Sequence, residues 1–207
     1  MSVYPPPFES FRYQLKDKIP PFFHTHPKHE IYYFHSGKCK YVIGGIVIDL
    51  QPGDLILMNG IREHGPIMDD SDTYVRTTIL FDGAALQRSL SGPIDVLAPF
   101  RLATFMHWRL AEPLKSEWEE ILARMHRFAA KQDAVGAERL RLAFMEALLF
   151  VYERCAESES AALQRGLSGK ERIVQRVMDY IDARYMEDLA IADIARGVPI
   201  SRYYLMK

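Results

Sequence analysis

From residue 8 to about residue 82 short apolar runs, broken by turn residues, read as strands. Phe8 to Leu15 alternates loosely, and Phe22 to His26 is extended between Pro21 and Pro27. Glu30 to Phe34 is rich in the aromatic and β-branched residues that suit a pleated surface. Ser36-Gly37 then turns the chain. Cys39 to Ile43 and Ile46 to Leu50 flank Gly44-Gly45, a two-residue hairpin signal, because glycine supplies the positive φ that primed turns require. Pro52-Gly53-Asp54 is a further turn, Leu55 to Met58 follows it, and Tyr74 to Phe81 is the last strand of the series. Short strands broken by Gly and Pro predict an antiparallel barrel or sandwich.

After Phe81 the period lengthens to three and four. Ala84 to Leu90 and Leu114 to Ala130 read as helices, and Ala137 to Arg154 is the strongest. There Ala137, Leu140, Phe144, Ala147, Leu148 and Val151 form one apolar stripe, with Glu138, Arg139, Arg141, Glu146 and Glu153 mostly opposite. Two covers for this stripe stand equally open. One is the chain's own barrel. The other is the same helix of a second subunit, which would make Leu140, Phe144, Ala147, Leu148 and Val151 dimer contacts. Glu157 to Gly169 is small and polar, as expected of a linker, and Lys170 to Tyr185 puts Ile173, Val177, Tyr180 and Ile181 on one helical face. The expected fold class is α+β, a jelly-roll barrel followed by helices. The division is a sensor barrel over 1–82, helices over 83–156, a linker over 157–169 and a C-terminal unit over 170–207.

A length of 207 residues accommodates one to two domains. A net charge of −1 provides no global field to attract nucleic acid or membrane, although a whole-chain sum can hide a local patch. Cys39 and Cys155 lie far apart and read as reduced thiols. The N-terminal stretch lacks a basic region followed by an apolar one, and no apolar run approaches the roughly 20 residues of a membrane span. The expected location is the cytoplasm.

Candidate chemistry is concentrated between His24 and His64. Residues two apart on a strand face one side, so His24 and His26 project together. Glu30 joins them if the Pro27-Lys28-His29 turn returns the chain with the right parity. Tyr32 and Phe34 then line the interior below, and His64 approaches from a facing strand. Three imidazoles and a carboxylate suit a divalent transition metal such as iron, manganese, nickel, copper or zinc. The same four side chains would equally satisfy one another by hydrogen bonds at a barrel mouth. His24, His26, Glu30, Tyr32 and His64 are therefore candidate ligand contacts, and His24, His26, Glu30 and His64 candidate metal ligands. His29 and His35 are expected at the surface or in a turn. Arg62 and Arg76 have the charge to meet an anionic ligand, but single arginines are usually solvated or paired.

These residues resemble the two cupin motifs. His24, His26, Glu30 and Gly37 match the first, and Gly53-Asp54 with His64 match parts of the second. The leading glycine of motif one is absent, and Asn59 and Gly60 stand where motif two usually has prolines. At the far end, Leu189, Ile191, Ile194 and Ala195 have helical spacing, Gly197 can end that helix in a left-handed conformation, and Pro199 bars its continuation. Ser201 is a good N-cap for a second helix, Arg202 to Lys207. Together they read as a helix-turn-helix.

In its order of parts the whole chain is similar to the AraC-type bacterial transcription regulators. That resemblance implies a ligand-responsive, dimeric DNA-binding protein that is not an enzyme. A small molecule would sit in the barrel, and Ser201, Arg202, Tyr203 and Lys207 would lie at the DNA-reading helix. It also implies a longer DNA-binding domain than the residues here supply, so this chain is expected to bind DNA poorly or not at all. From Gly169 onward basic side chains exceed acidic ones by one, too few for an electrostatic footprint. The Pro5-Pro6-Pro7 arm reads as a disordered terminus or, because polyproline is stiff, as a lid. The competing reading is a metal-dependent cupin oxygenase or isomerase built on His24, His26, Glu30 and His64.

Overall fold

In the computed structural model of the chain, the segments that read as strands become two antiparallel sheets. The structure describes residues 8, 10–16, 22–68, 73–90, 92–131, 133–158, 173, 176–177, 180–181, 184 and 189–198. The larger sheet has the spatial order β1 (Ser10–Lys16), β7 (Tyr74–Phe81), β2 (His29–Ser36), β5 (Asp54–Met58), β8 (Phe105–Arg109). The smaller is β4 (Ile46–Asp49), β3 (Cys39–Ile43), β6 (His64–Met68). An isolated bridge between His24 and His64 lays the chain around residue 24 against β6. The helices are α1 (Gly83–Ser89), α2 (Ala98–Leu102), α3 (Leu114–Ala129), α4 (Ala134–Ser158) and α5 (Ile191–Gly197).

The larger sheet is covered on both faces, which is why β2 and β5 carry unbroken apolar runs, Ile31–Phe34 and Leu55–Met58. From β2, Tyr32 and Phe34 enter one core with Tyr41, Ile43 and Ile48 of the smaller sheet. Ile31 and Tyr33, of opposite parity, enter a second core with Trp118, Ile121 and Met125 of α3 and Phe144, Leu148 and Val151 of α4. β5 splits in the same way, Ile56 and Met58 to the first core, Leu55 and Leu57 to the second. Each fully buried large side chain contributes roughly 1.5–3 kcal/mol.

Most expected elements are present within a residue or two at their ends, and α4 is longer than its apolar stripe required. Three elements were not foreseen. β6, β8 and α2 are each five residues long, too short for a periodic signal. β8 lies in a stretch read as wholly helical, yet it completes the larger sheet beside β5. The assignment of the α4 stripe to a dimer is corrected. Leu140, Phe144, Ala147, Leu148 and Val151 are buried against the chain's own sheet and α3, so no second subunit can reach them. Gly197 is also corrected. It stays helical, and it is small because the Tyr180 ring occupies the place of its side chain, where an added Cβ would lie 1.8 Å from a ring carbon. The helix ends at extended Val198, as a following proline dictates. Among the described residues no helix is long and apolar enough to cross a membrane. Cys39 and Cys155 are both buried thiols. The Pro5-Pro6-Pro7 arm, most of the linker and Ser201, Arg202, Tyr203 and Lys207 lie outside the described residues.

One buried carboxylate ties β8 to the sheet. Gly53, at φ +94°, turns the chain where an added Cβ would meet the Leu110 carbonyl at 2.8 Å. Asp54, next in sequence and with no exposed surface, accepts from the Gln51 backbone N–H at 2.8 Å and from Arg109 Nε at 2.8 Å and Nη2 at 3.1 Å. His107 Nε2 lies 3.2 Å away. Burial pushes this carboxyl upward, but the hydrogen bonds from His107 and Arg109 outweigh it and hold it below the usual carboxylate range.

Asp54→Asn should cost about 2 kcal/mol in denaturant unfolding at pH 7, the loss of a charge-assisted hydrogen-bond network. Because the folded-state value is depressed, the stabilisation is complete above the unfolded value of about 4 and disappears as pH falls through the folded one. The variant's stability should therefore fall less steeply below pH 4 than the parent's. Parallel acid profiles would contradict this role for Asp54.

Candidate functional site

Between the two sheets the candidate residues converge. His24 and His26 flank Thr25 on the extended segment after Phe23, and their rings lie 5.3 Å apart. His24 exchanges both backbone hydrogen bonds with His64, at 3.1 and 3.0 Å, which brings their rings to 4.5 Å. The His26 and His64 rings are 4.9 Å apart and edge-on. The Pro27-Lys28 turn returns the chain with the required parity, so Glu30 enters from the facing sheet. Its Oε2 stands 3.1 Å from His26 Nε2 and 3.6 Å from His64 Nε2. One donor atom from each of the four residues lies within 4.8 Å of all the others.

The hydrogen bonds behind the rings fix which nitrogens face inward. His64 Nδ1 lies 2.8 Å from the Arg62 carbonyl and His26 Nδ1 lies 3.2 Å from the Lys28 carbonyl. A carbonyl only accepts, so each Nδ1 carries the proton and donates it. In the neutral ring Nε2 is then a lone pair, and both lone pairs point at a carboxylate that is itself only an acceptor. This arrangement calls for a proton shared among the four groups or for a metal ion. Burial pushes the Glu30 carboxyl up, yet the facing His26 and His64 rings prevail and bring it down to about 2. Burial lowers His64, but the Glu30 carboxylate more than compensates and raises it. His24 is lowered, by burial first and then by repulsion from His64. His24 Nδ1 and His64 Nε2 are buried without a hydrogen-bond partner. These orphaned nitrogens, the carbonyl-anchored tautomers and the carboxylate all fit a divalent transition metal.

Motif two contributes through Gly60. The His26 backbone N–H donates to the Gly60 carbonyl at 3.0 Å. Gly60 sits at φ +71°, and a Cβ there would lie 2.4 Å from the His26 oxygen and 2.2 Å from its Nδ1. The glycine found where the resemblance leads one to expect a proline therefore leaves room for the His26 ring.

The cluster opens into a cavity of about 400 Å³, the size of a small-molecule site. Its floor follows the sheet register. Leu80 of β7 lies opposite Ser10 of β1 and Glu30 of β2, and Thr78 lies opposite Arg12 and Tyr32. Arg76 and Gln14 pair beyond them, and Tyr41 and Pro66 form the roof. Tyr32 and Tyr74 join by their hydroxyls at the back. Burial keeps Tyr32 and Tyr41 protonated, so both act here as neutral polar lining, and it pushes the Cys39 thiol behind them up to about 12.

Tyr32 thus faces the cavity as expected, and Phe34 packs in the core on the same side. His29 is not a turn residue. It opens β2, buried and stacked on Phe100 at 4.9 Å. His35 is half-buried and bonded to Thr77 Oγ1 at 2.8 Å. The sequence reading missed Arg12, Thr78 and Tyr41. The signal for them was strand parity, since Ser10, Arg12 and Gln14 alternate with the apolar Phe11 and Tyr13.

A family model described as "AraC-like ligand binding domain" matches residues 11–149. No curated protein matches the chain. Among solved structures, apo ToxT K231A from Vibrio cholerae is similar at 13% identity and a TM-score of 0.57, over 98% of this chain and 75% of that one. ToxT with bound unsaturated fatty acid matches at 12% identity and 0.57, over 96% and 72%. The AraC-like transcriptional activator CuxR matches at 17% identity and 0.51, over 86% and 59%. At these identities the likeness is one of fold, a cupin-like β-domain followed by helices.

Gly60→Ala should lower stability by about 2 kcal/mol or more, combining left-handed strain with the collision at His26. Gly45→Ala, also at positive φ (+82°) but with nothing within 4 Å of the added Cβ, should cost about half as much. Equal losses in denaturant unfolding would remove the argument that Gly60 is there to accommodate His26.

Proposed function

Because the chain belongs to the family of AraC-like ligand binding domains, we propose that it is the sensing part of a ligand-responsive, cytoplasmic transcription regulator rather than an enzyme. The observation that supports this most is the cavity between the sheets, whose lining includes His24, His26 and Glu30 of the four convergent side chains. A small molecule binds there against His24, His26, Glu30, Tyr32 and His64. The same His24, His26, Glu30 and His64 would hold a divalent transition metal, which supplies a Lewis-acidic anchor for an oxygen of the ligand when bound. Binding acts by favouring one arrangement of the sensor over another. DNA contact belongs to the C-terminal unit, with Ser201 as cap and Arg202, Tyr203 and Lys207 toward phosphates and base edges.

Pairing of two copies falls to the other side of α4. Val135, Leu142 and Leu149 are 63%, 55% and 38% exposed. They recur every seven residues, the spacing of a seam between two helices, and half-buried Met145 and Tyr152 flank them.

A thermal-shift screen of metabolites and divalent metals tests the sensor reading. A compound at one hundred times its Kd should raise Tm by roughly 5–10 °C. The variant Thr78→Trp, which fills the cavity floor, should abolish the response. A cavity that no compound stabilises, or shifts that survive the tryptophan, would defeat it. For the dimer, sedimentation should show two copies for the parent and one for Leu142→Glu/Leu149→Glu. An unchanged mass would place the interface elsewhere.

A further inference from the structure

The cavity's charge is unbalanced at the end away from the imidazoles. Arg76 projects from β7 into the same cavity, its guanidinium carbon 4.7 Å from the centre of the Tyr74 ring. Its Nη1 is buried and has no hydrogen-bond partner, and no carboxylate among the described residues pairs with it. Leaving a buried donor of a charged group unmet is costly, and a guanidinium with an empty edge matches a planar oxyanion. Arg12 stands at the rim of the same wall and Thr78 offers a hydroxyl between them. Against these two cations the lining holds one carboxylate, Glu30, which the imidazoles already engage. The cavity is thus cationic inside a chain whose net charge is −1.

Register sets the spacing. Arg76 pairs with Phe34, four residues along β2 from Glu30, about 13 Å of strand. The imidazole cluster and the Arg76 guanidinium therefore mark two ends of one elongated cavity, with Tyr32, Tyr41 and Thr78 as walls between them.

We propose that the cavity takes a small organic acid whose carboxylate lies on Arg76 while its other end reaches toward the imidazole cluster. This rests on the sensor reading above and names the ligand class that reading leaves open. The aromatic ring beneath the guanidinium keeps it in place, so the arginine is already positioned before the acid arrives.

The test is a thermal-shift and calorimetric panel on the full chain. The probes are straight-chain monocarboxylates from butanoate to octanoate, with benzoate and phenylpropanoate, each paired with its uncharged amide. At least one acid should stabilise the chain and its amide should bind at least tenfold more weakly. Arg76→Gln should weaken the acid by tenfold or more and leave the amide unchanged. Arg76→Lys, which keeps the charge but loses the planar fork, should recover part of the difference. Acid and amide binding equally, an acid indifferent to Arg76→Gln, or no acid binding at all would overturn the proposal. Neutral metabolites that still stabilise the parent and fail against Thr78→Trp would leave the sensor reading intact while this one fell. Loss of every response, neutral and charged, would remove both.

Discussion

A single carboxylate facing two imidazole lone pairs is the interaction that organises this molecule. Glu30 is buried at the start of the central strand β2, and the carbonyls of Lys28 and Arg62 turn the Nε2 atoms of His26 and His64 toward it. Without a shared proton or a cation these facing acceptors repel one another. The cluster's residues come from both sheets, and it exists only while the sheets keep their separation and register.

Much of the remaining structure maintains that register. Asp54 draws β8 onto β5 through Arg109 and His107, which completes the larger sheet on the side away from β1. Gly60 lets the connection from β5 to β6 pass close to His26. Behind the sheet, α3 and α4 close the second core, and the Tyr33 hydroxyl donates to Glu119 of α3 at 2.8 Å. β2 therefore presents Glu30 and Tyr32 to the cavity and Ile31 and Tyr33 to the helices. It is the element shared by the ligand site and by the helix pair whose outer face carries Val135, Leu142 and Leu149.

The fold was legible wherever a periodic run was long enough to be counted. Cys39 to Ile43 and Tyr74 to Phe81 appear with their expected ends because turn residues or a change of period bound them. Five-residue elements such as β8 carry too few positions to show a period, and pairing with β5 decides their form. The His24, His26, Glu30 and His64 convergence was readable from spacing and parity, since each step is a property of strands. What covers an apolar stripe was not readable, because Leu148 against a sheet and Leu148 against another helix present the same pattern. Arg76 was visible as a charge, but its unmet edge depends on which side chains the register brings around it. Asp54 was visible as a turn residue, whereas its work is done by Arg109, fifty-five positions away.

The most direct test of the imidazole and carboxylate cluster is X-ray absorption on the chain loaded with one equivalent of cobalt(II), read together with Glu30→Gln. A shell of three imidazole nitrogens and one oxygen at about 2.0–2.2 Å, with the oxygen term and most of the affinity lost in the variant, is the predicted result. Cobalt bound without imidazole, or bound as tightly after the carboxylate is removed, would contradict it.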